Sequence, residues 1–136
     1  MPVDRAVKRT SLLRRTRLRA KPARTPLEER RWRNLRATVH ARAEGRCECC
    51  GLLLRERWEC HHRHRKSQGG TDTPSNCVAL RPECHARWHG HIREAVAAGF
   101  IVHAGDLDHP WCHWSLSWVR SYATGYELLD SPEVAS

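Results

Sequence analysis

With 136 residues, 40% hydrophobic and 7% aromatic, the chain has material for one modest core, much of it from six tryptophans, and no second large domain. A net charge of +9 points to a polyanionic partner. The charge is lopsided: residues 1–46 hold fifteen Lys/Arg against four Asp/Glu, whereas residues 47–136 hold nine against eleven. The basicity belongs to one end and fits an arm that grips nucleic acid better than a uniformly cationic surface.

Seven cysteines are an odd number. The longest apolar run near the start, Leu12-Leu13, is far too short for a signal peptide core or a membrane span. An Arg-rich, acid-poor start is shared with organellar transit peptides, but Pro22, Pro26 and the missing amphipathic pattern argue against one. Reduced cysteines in a cytoplasmic setting are therefore expected, as metal ligands or buried apolar residues and not as disulfides.

Residues 1–24 carry nine basic residues, one acid and no hydrophobic period, so they are expected to be a disordered basic arm. The alternative is a tail that only solubilises. "TPLEERRWRNLRATVHARAEG" then predicts a helix. Thr25 is its N-cap, Pro26 its first residue and Glu28 the partner in a capping box. Trp32, Leu35, Val39 and Ala43 form its core stripe, and Gly45 its stop. "GRCECCG" follows as a tight knuckle. A strand ending in "RWECHH" and a second in "NCVALR" are separated by the thirteen residues Arg63–Ser75, long for a hairpin loop. "PECHARWHGHIREAVAAG" predicts a second helix with Trp88, Ile92 and Val96 as its buried stripe, stopped by Gly99. In residues 100–136, "FIVHAG", "WSLSWVRSY" and "TGYELL" have strand-like composition. His109, Cys112 and His113 there are expected to be surface or packing residues.

His85 and His89 stand at i and i+4, so both rings project from one helix face. With the pair His61-His62 at a strand end, they suffice for one divalent ion. Consecutive strand residues face opposite ways, so the pair is best divided: one ring on the metal, the other holding a water. A neutral imidazole is suited to taking that water's proton near neutral pH. Unrelated surface histidines are the bland alternative.

The ordered set Cys47-x2-Cys50, His61-His62, Gly69-Gly70, Asn76, Cys84-His85 and His89 resembles the HNH endonuclease family, with phage-encoded members most similar. The resemblance covers residues 25–95. It implies a small ββα-metal (His-Me finger) core, so the expected fold is α+β: that core with the preceding helix, a zinc knuckle and the C-terminal β extension read from composition. The expected organisation is a basic arm over 1–24, a nuclease domain over 25–99 and a β-rich extension over 100–136.

By the same resemblance His62 would be the general base, and Asn76 would tie down the long loop so that His62 is aimed. His61 and His85 would be metal ligands, and His89 would bind metal or hold the phosphate. One divalent ion, Mg²⁺, Mn²⁺ or another transition metal, is the implied cofactor. Arg63, Arg65 and Lys66 are expected to grip phosphates of DNA, the implied partner. Phage packaging or host nucleic-acid machinery would be further partners, in the cytoplasm of a bacterium or phage-infected cell; no membrane is involved.

Many relatives hold a structural zinc with two Cys-x2-Cys pairs. Here the second pair would fall at 81 and 84, and position 81 is Arg. Cys47, Cys50 and Cys84 supply three thiolates, with Cys49, Cys60 and Cys77 as candidates for a fourth. A set of buried cysteines without zinc is the alternative. The functional expectation is a metal-dependent DNA endonuclease. Its chief rival is a non-catalytic zinc-knuckle module binding DNA or RNA, and a third reading is a toxin nuclease needing an immunity partner. Binding alone needs no general base.

Overall fold

The computed structural model describes residues 20–103, 111–112, 118–122 and 125–129. Residues 1–19 of the expected arm, together with His109 and His113, lie outside them. Helix α1 spans Pro26–Arg42. Its start closes as a capping box: the Glu28 N–H donates to Thr25 Oγ1 at 3.3 Å and the Thr25 N–H to Glu28 Oε2 at 2.8 Å. The chain leaves the helix through Glu44 and Gly45, both with positive φ. It then makes the cysteine knuckle, in which the Cys47 N–H donates to the Leu52 carbonyl and the Gly51 N–H to the Cys47 carbonyl.

Strands β1 (Glu59–His62) and β2 (Cys77–Leu80) pair antiparallel, with His61 opposite Val78 and His62 opposite Cys77. All four β2 residues are buried and divide the core between two faces. Cys77 and Ala79 pack with Leu35, Val39 and Ala43 of α1. Val78 and Leu80 pack with Cys47, Trp88, Ala95, Phe100, Ile101 and Trp111. Because side chains alternate along a strand, the two histidines of β1 are committed to opposite faces.

Helix α2 (Pro82–Gly90) and helix α3 (Ile92–Ala97) replace the single helix expected from Pro82 to Gly99. The break is at His91, whose φ of −127° and ψ of 68° are not helical. It follows Gly90, which weakens a helix interior by about 1 kcal/mol relative to Ala. The turn of the axis changes which side chains face inward. Trp88 stays buried and stacks on Phe100 at 5.0 Å, but Ala95 takes the inner place expected for Ile92 and Val96, which are exposed. Phe100–Val102 are buried without being a strand. Beyond them, β3 (Trp111–Cys112), β4 (Trp118–Tyr122) and β5 (Gly125–Leu129) form an antiparallel sheet in the order β3-β4-β5.

A fully buried ion pair ties these parts together. Arg42 donates from Nε to Glu48 Oε1 at 3.0 Å and from Nη2 to Glu48 Oε2 at 2.8 Å. It also donates to the carbonyls of Pro74 and Cys77, while Glu48 Oε2 accepts the Ala79 N–H. One pair thus fastens α1, the knuckle, β2 and the end of the long loop. The architecture is α+β with a ββα centre. Among the described residues, no helix is long and apolar enough to cross a membrane.

Candidate metal centre and its surroundings

His61, His85 and His89 converge, their ligand nitrogens all within 4.8 Å of one another. Each arrives for a local reason. His61 is carried by β1 on the face of the sheet that α2 covers, and His85 and His89 share one side of α2 by their four-residue spacing. The His85 and His89 Nε2 atoms are 3.0 Å apart. The His61 ring meets both edge-on, with centroids at 5.3 and 5.7 Å.

His61 is almost fully buried, and its Nε2 lies 2.6 Å from the Phe100 carbonyl oxygen. A carbonyl only accepts, so Nε2 carries the proton and the lone pair falls on Nδ1. A second-sphere contact of this kind orients a metal-binding imidazole. Burial holds the His61 pKa down to about 4 against the opposing pull of the Phe100 bond, with the neighbouring histidines lowering it further. Burial, then His89, lowers His85 as well. Three imidazoles with converging nitrogens are a donor set that fits a borderline or transition-metal divalent ion.

His62 points to the other face. Its ring lies parallel to that of Trp32, at 5.7 Å and 9°, and its Nε2 is 2.7 Å from Asp72 Oδ1. Trp32, expected in the core stripe of α1, is half-buried and serves as the platform for this ring. The faces rejoin at the strand end. A cavity of about 380 Å³ is lined by His61, His62, His85 and His89 together with Lys21, Arg65 and Lys66.

Asn76 is fully buried and holds the long loop at two places. Its Oδ1 accepts the His64 N–H at 2.7 Å, and its Nδ2 donates to the carbonyls of His64 at 3.1 Å and Thr71 at 2.9 Å. The loop runs so close to itself that a Cβ on Gly70 would lie 1.8 Å from the His64 carbonyl oxygen, so only glycine fits.

The three expected phosphate grips part company. Arg63 is 1% exposed and donates from Nε to the Gly99 carbonyl at 2.7 Å, beneath Trp111. It is an internal strut, because it follows His62 on the alternating strand pattern and turns inward. Arg65 lines the cavity, with a buried Nε that has no hydrogen-bond partner among the described residues. Lys66 is exposed, and its Nζ pairs with Asp72 Oδ2 at 2.7 Å. Burial alone would raise the Asp72 pKa, but the bonds from Lys66 and His62 outweigh it and hold the carboxyl low.

Cys47, Cys50 and Cys84 form a second cluster, their sulfurs also within 4.8 Å of one another. The Arg81 N–H donates to Cys47 Sγ at 3.3 Å. The Arg81 side chain bonds the Cys50 sulfur, which raises the guanidinium's pKa. Burial works against the Cys50 thiolate, yet the Leu52 N–H and the bonds from Cys47, Cys84 and Arg81 lower its pKa on balance. Cys60 and Cys77 share a thiol hydrogen bond on the α1 face and lie outside the cluster of three. Cys49 packs beside Cys84 but outside the set of three.

Sequence reasoning does not single out Asp72, the platform role of Trp32 or the Phe100 carbonyl. Asp72 has a signal: it is the one acid in the otherwise cationic loop Arg63–Ser75. The Phe100 carbonyl has none, since a backbone group has no sequence signature.

Comparison with known proteins bears on the same segment. Residues 47–90 match the family model of the HNH endonuclease. The chain is 32% identical over 94 residues to the type IV methyl-directed restriction enzyme EcoKMcrA of Escherichia coli (strain K12), a match covering 59% of this chain and 34% of that protein. The chain thus spans about a third of the length of the curated relative it matches. The span that matches the HNH endonuclease family model carries both the histidine and the cysteine clusters.

Proposed function

We propose that the chain is a metal-dependent endonuclease that hydrolyses DNA phosphodiester bonds. The observation that carries this reading is the shared cavity. Three histidines with converging nitrogens line it beside a fourth, His62, which is not among them and is engaged by an acid instead. A nucleic-acid-binding module has no use for that division.

In this reading His61, His85 and His89 hold one divalent ion. Once bound, it neutralises charge on the phosphate and on the departing oxygen. His62 takes the proton of the attacking water as the water oxygen bonds to phosphorus and the bond to the leaving oxygen breaks. Asn76 keeps the loop beside His62 in place. Arg65, Lys66 and Lys21 offer positive charge to the phosphates flanking the scissile one. Cys47, Cys50 and Cys84 hold a structural zinc in the knuckle. The resemblance favours DNA over RNA and a cytoplasmic location.

The rival reading is a zinc-knuckle module. It draws on a separate hollow lined by Arg55, Arg57, Arg81, Pro82 and Glu83, whose three cations outnumber the one acid, paired with Arg81 at 3.5 Å. Incubating the purified chain with supercoiled plasmid and Mg²⁺, Mn²⁺ or Ni²⁺, against an EDTA control, decides between them. Nicked or linear product that appears only with metal is expected. Retarded but intact plasmid under every condition would favour the module.

A further inference from the structure

We propose that Asp72 is a positioning residue that fixes the tautomer of His62, leaving Nδ1 as the nitrogen that accepts the proton. The inference rests on the reading of His62 as the base and adds which atom of it acts and what holds it. An ionised carboxylate only accepts hydrogen bonds. At 2.7 Å from Asp72 Oδ1, His62 Nε2 must therefore carry a proton, so whenever the ring acts as a base its accepting lone pair is on Nδ1. Trp32, stacked at 5.7 Å and 9°, fixes the plane in which that lone pair lies.

The arrangement around Asp72 is built for this contact. Its second oxygen is taken by Lys66 at 2.7 Å, so the carboxylate cannot rotate to present both oxygens elsewhere. The Lys66 side chain is 57% exposed, and an ion pair that open contributes little stability by itself. The His62 side chain is 15% exposed and that of Asp72 39%, so of Asp72's two partners the ring is the one held against the protein. Asn76 binds the backbone of His64, two residues beyond His62, and of Thr71, next to Asp72. One buried amide thereby sets the base and its partner in register. Gly70 completes the geometry, since any side chain there would collide with the His64 carbonyl and displace Asp72. A loop clamp alone would require only the Lys66 pair; the approach to His62 would then be incidental.

Asp72→Asn and Asp72→Ala provide the test, read by single-turnover cleavage at saturating DNA and metal and by ¹⁵N NMR of the histidine rings. The His62 signal is assigned by its absence from His62→Ala. Wild type is expected to show the Nε2–H tautomer. Asp72→Asn keeps the shape, but its amide can donate to the ring and let the lone pair move to Nε2, so the tautomer preference is expected to shift. Cleavage should slow by about 10–100-fold in both variants, the range found for outer partners that orient metal-ligating histidines. Metal affinity by calorimetry and the melting temperature of Asp72→Asn should stay at wild-type values. Adding His62→Ala to either variant should slow it no further than His62→Ala alone. Wild-type cleavage by Asp72→Asn, or a lone pair on Nε2 in the wild type, would overturn the proposal while leaving His62 as base. Full activity in His62→Ala would instead overturn the underlying reading.

Discussion

Cys84 and His85 are neighbours in the first turn of α2, yet they belong to different clusters with different surroundings. Cys84 turns toward the knuckle, beside the apolar core, where burial and the nearby sulfurs of Cys47 and Cys49 push its thiol pKa up. His85 turns toward a cavity of about 380 Å³, half-buried, with His89 at 3.0 Å and His61 edge-on. A structural metal site is closed by protein ligands, whereas a catalytic one keeps a position open to water and substrate. Both clusters here offer three candidate ligands, so ligand number does not separate them. What separates them is their surroundings: the Arg81 N–H and guanidinium donate to the sulfurs at the cysteines, whereas a cavity stands beside the histidines.

The sharpest way to break this contrast is to mutate the two neighbours separately. Cys84→Ser should remove the knuckle metal, and since structural zinc supplies about 10–16 kcal/mol of apparent binding free energy at neutral pH, the domain should lose most of its cooperative melting transition. His85→Ala should melt like wild type and lose cleavage. Calorimetric melting, elemental analysis and the plasmid assay read both. If Cys84→Ser melted normally, or wild-type protein purified without chelator contained no zinc, the cysteines would be mere core residues.

Next in size is the buried ion pair on which both clusters depend. Glu48→Ala leaves the Arg42 guanidinium buried among carbonyls, and removing one partner of a buried pair costs about 3–5 kcal/mol. Urea unfolding should show that loss in the midpoint. A change below about 1 kcal/mol would mean that the carbonyls of Pro74 and Cys77 hold Arg42 unaided.

The two clusters should also differ in pH response. The His61 pKa is depressed to about 4 by burial, so between there and the unfolded value near 6.5 the unfolded chain binds the extra proton. Stability is therefore complete above about pH 6.5 and declines as pH falls through about 4. His61→Gln should flatten this acid limb in a series of melting curves. An unchanged limb would place the acid sensitivity elsewhere.

The smallest expected effect concerns the arm. Deleting residues 1–24 should leave the cleavage rate at saturating DNA unchanged but flatten the dependence of log K on log salt, by about 0.9 for each phosphate that the arm neutralises. An unaltered slope would mean that the arm does not touch DNA. Lys21, which lines the cavity, is the residue most directly implicated.

The convergence of the histidines is legible in the sequence because it rests on local rules: a four-residue helical spacing and a strand end. The hairpin and the capped first helix are legible for the same reason. Arg63 misleads because a run of cations looks like surface, and only the strand's alternation, continued one residue past His62, turns it inward. Ile92 and Val96 mislead because one break at His91 shifts the helical phase of everything after it. Asp72 escapes notice because its meeting with His62, ten residues away, depends on the path of a loop set by Asn76 and Gly70. Local periodicity carries no information about such a path.

The central claim is that His62 does chemistry in a cavity whose metal is held by other residues. Cleavage of supercoiled plasmid by His62→Ala, measured beside metal and DNA affinity, tests it most directly. Cleavage should fall about 10²–10⁴-fold, the usual contribution of a positioned general base, with both affinities retained. Cleavage at the wild-type rate across Mg²⁺, Mn²⁺ and Ni²⁺ would contradict it.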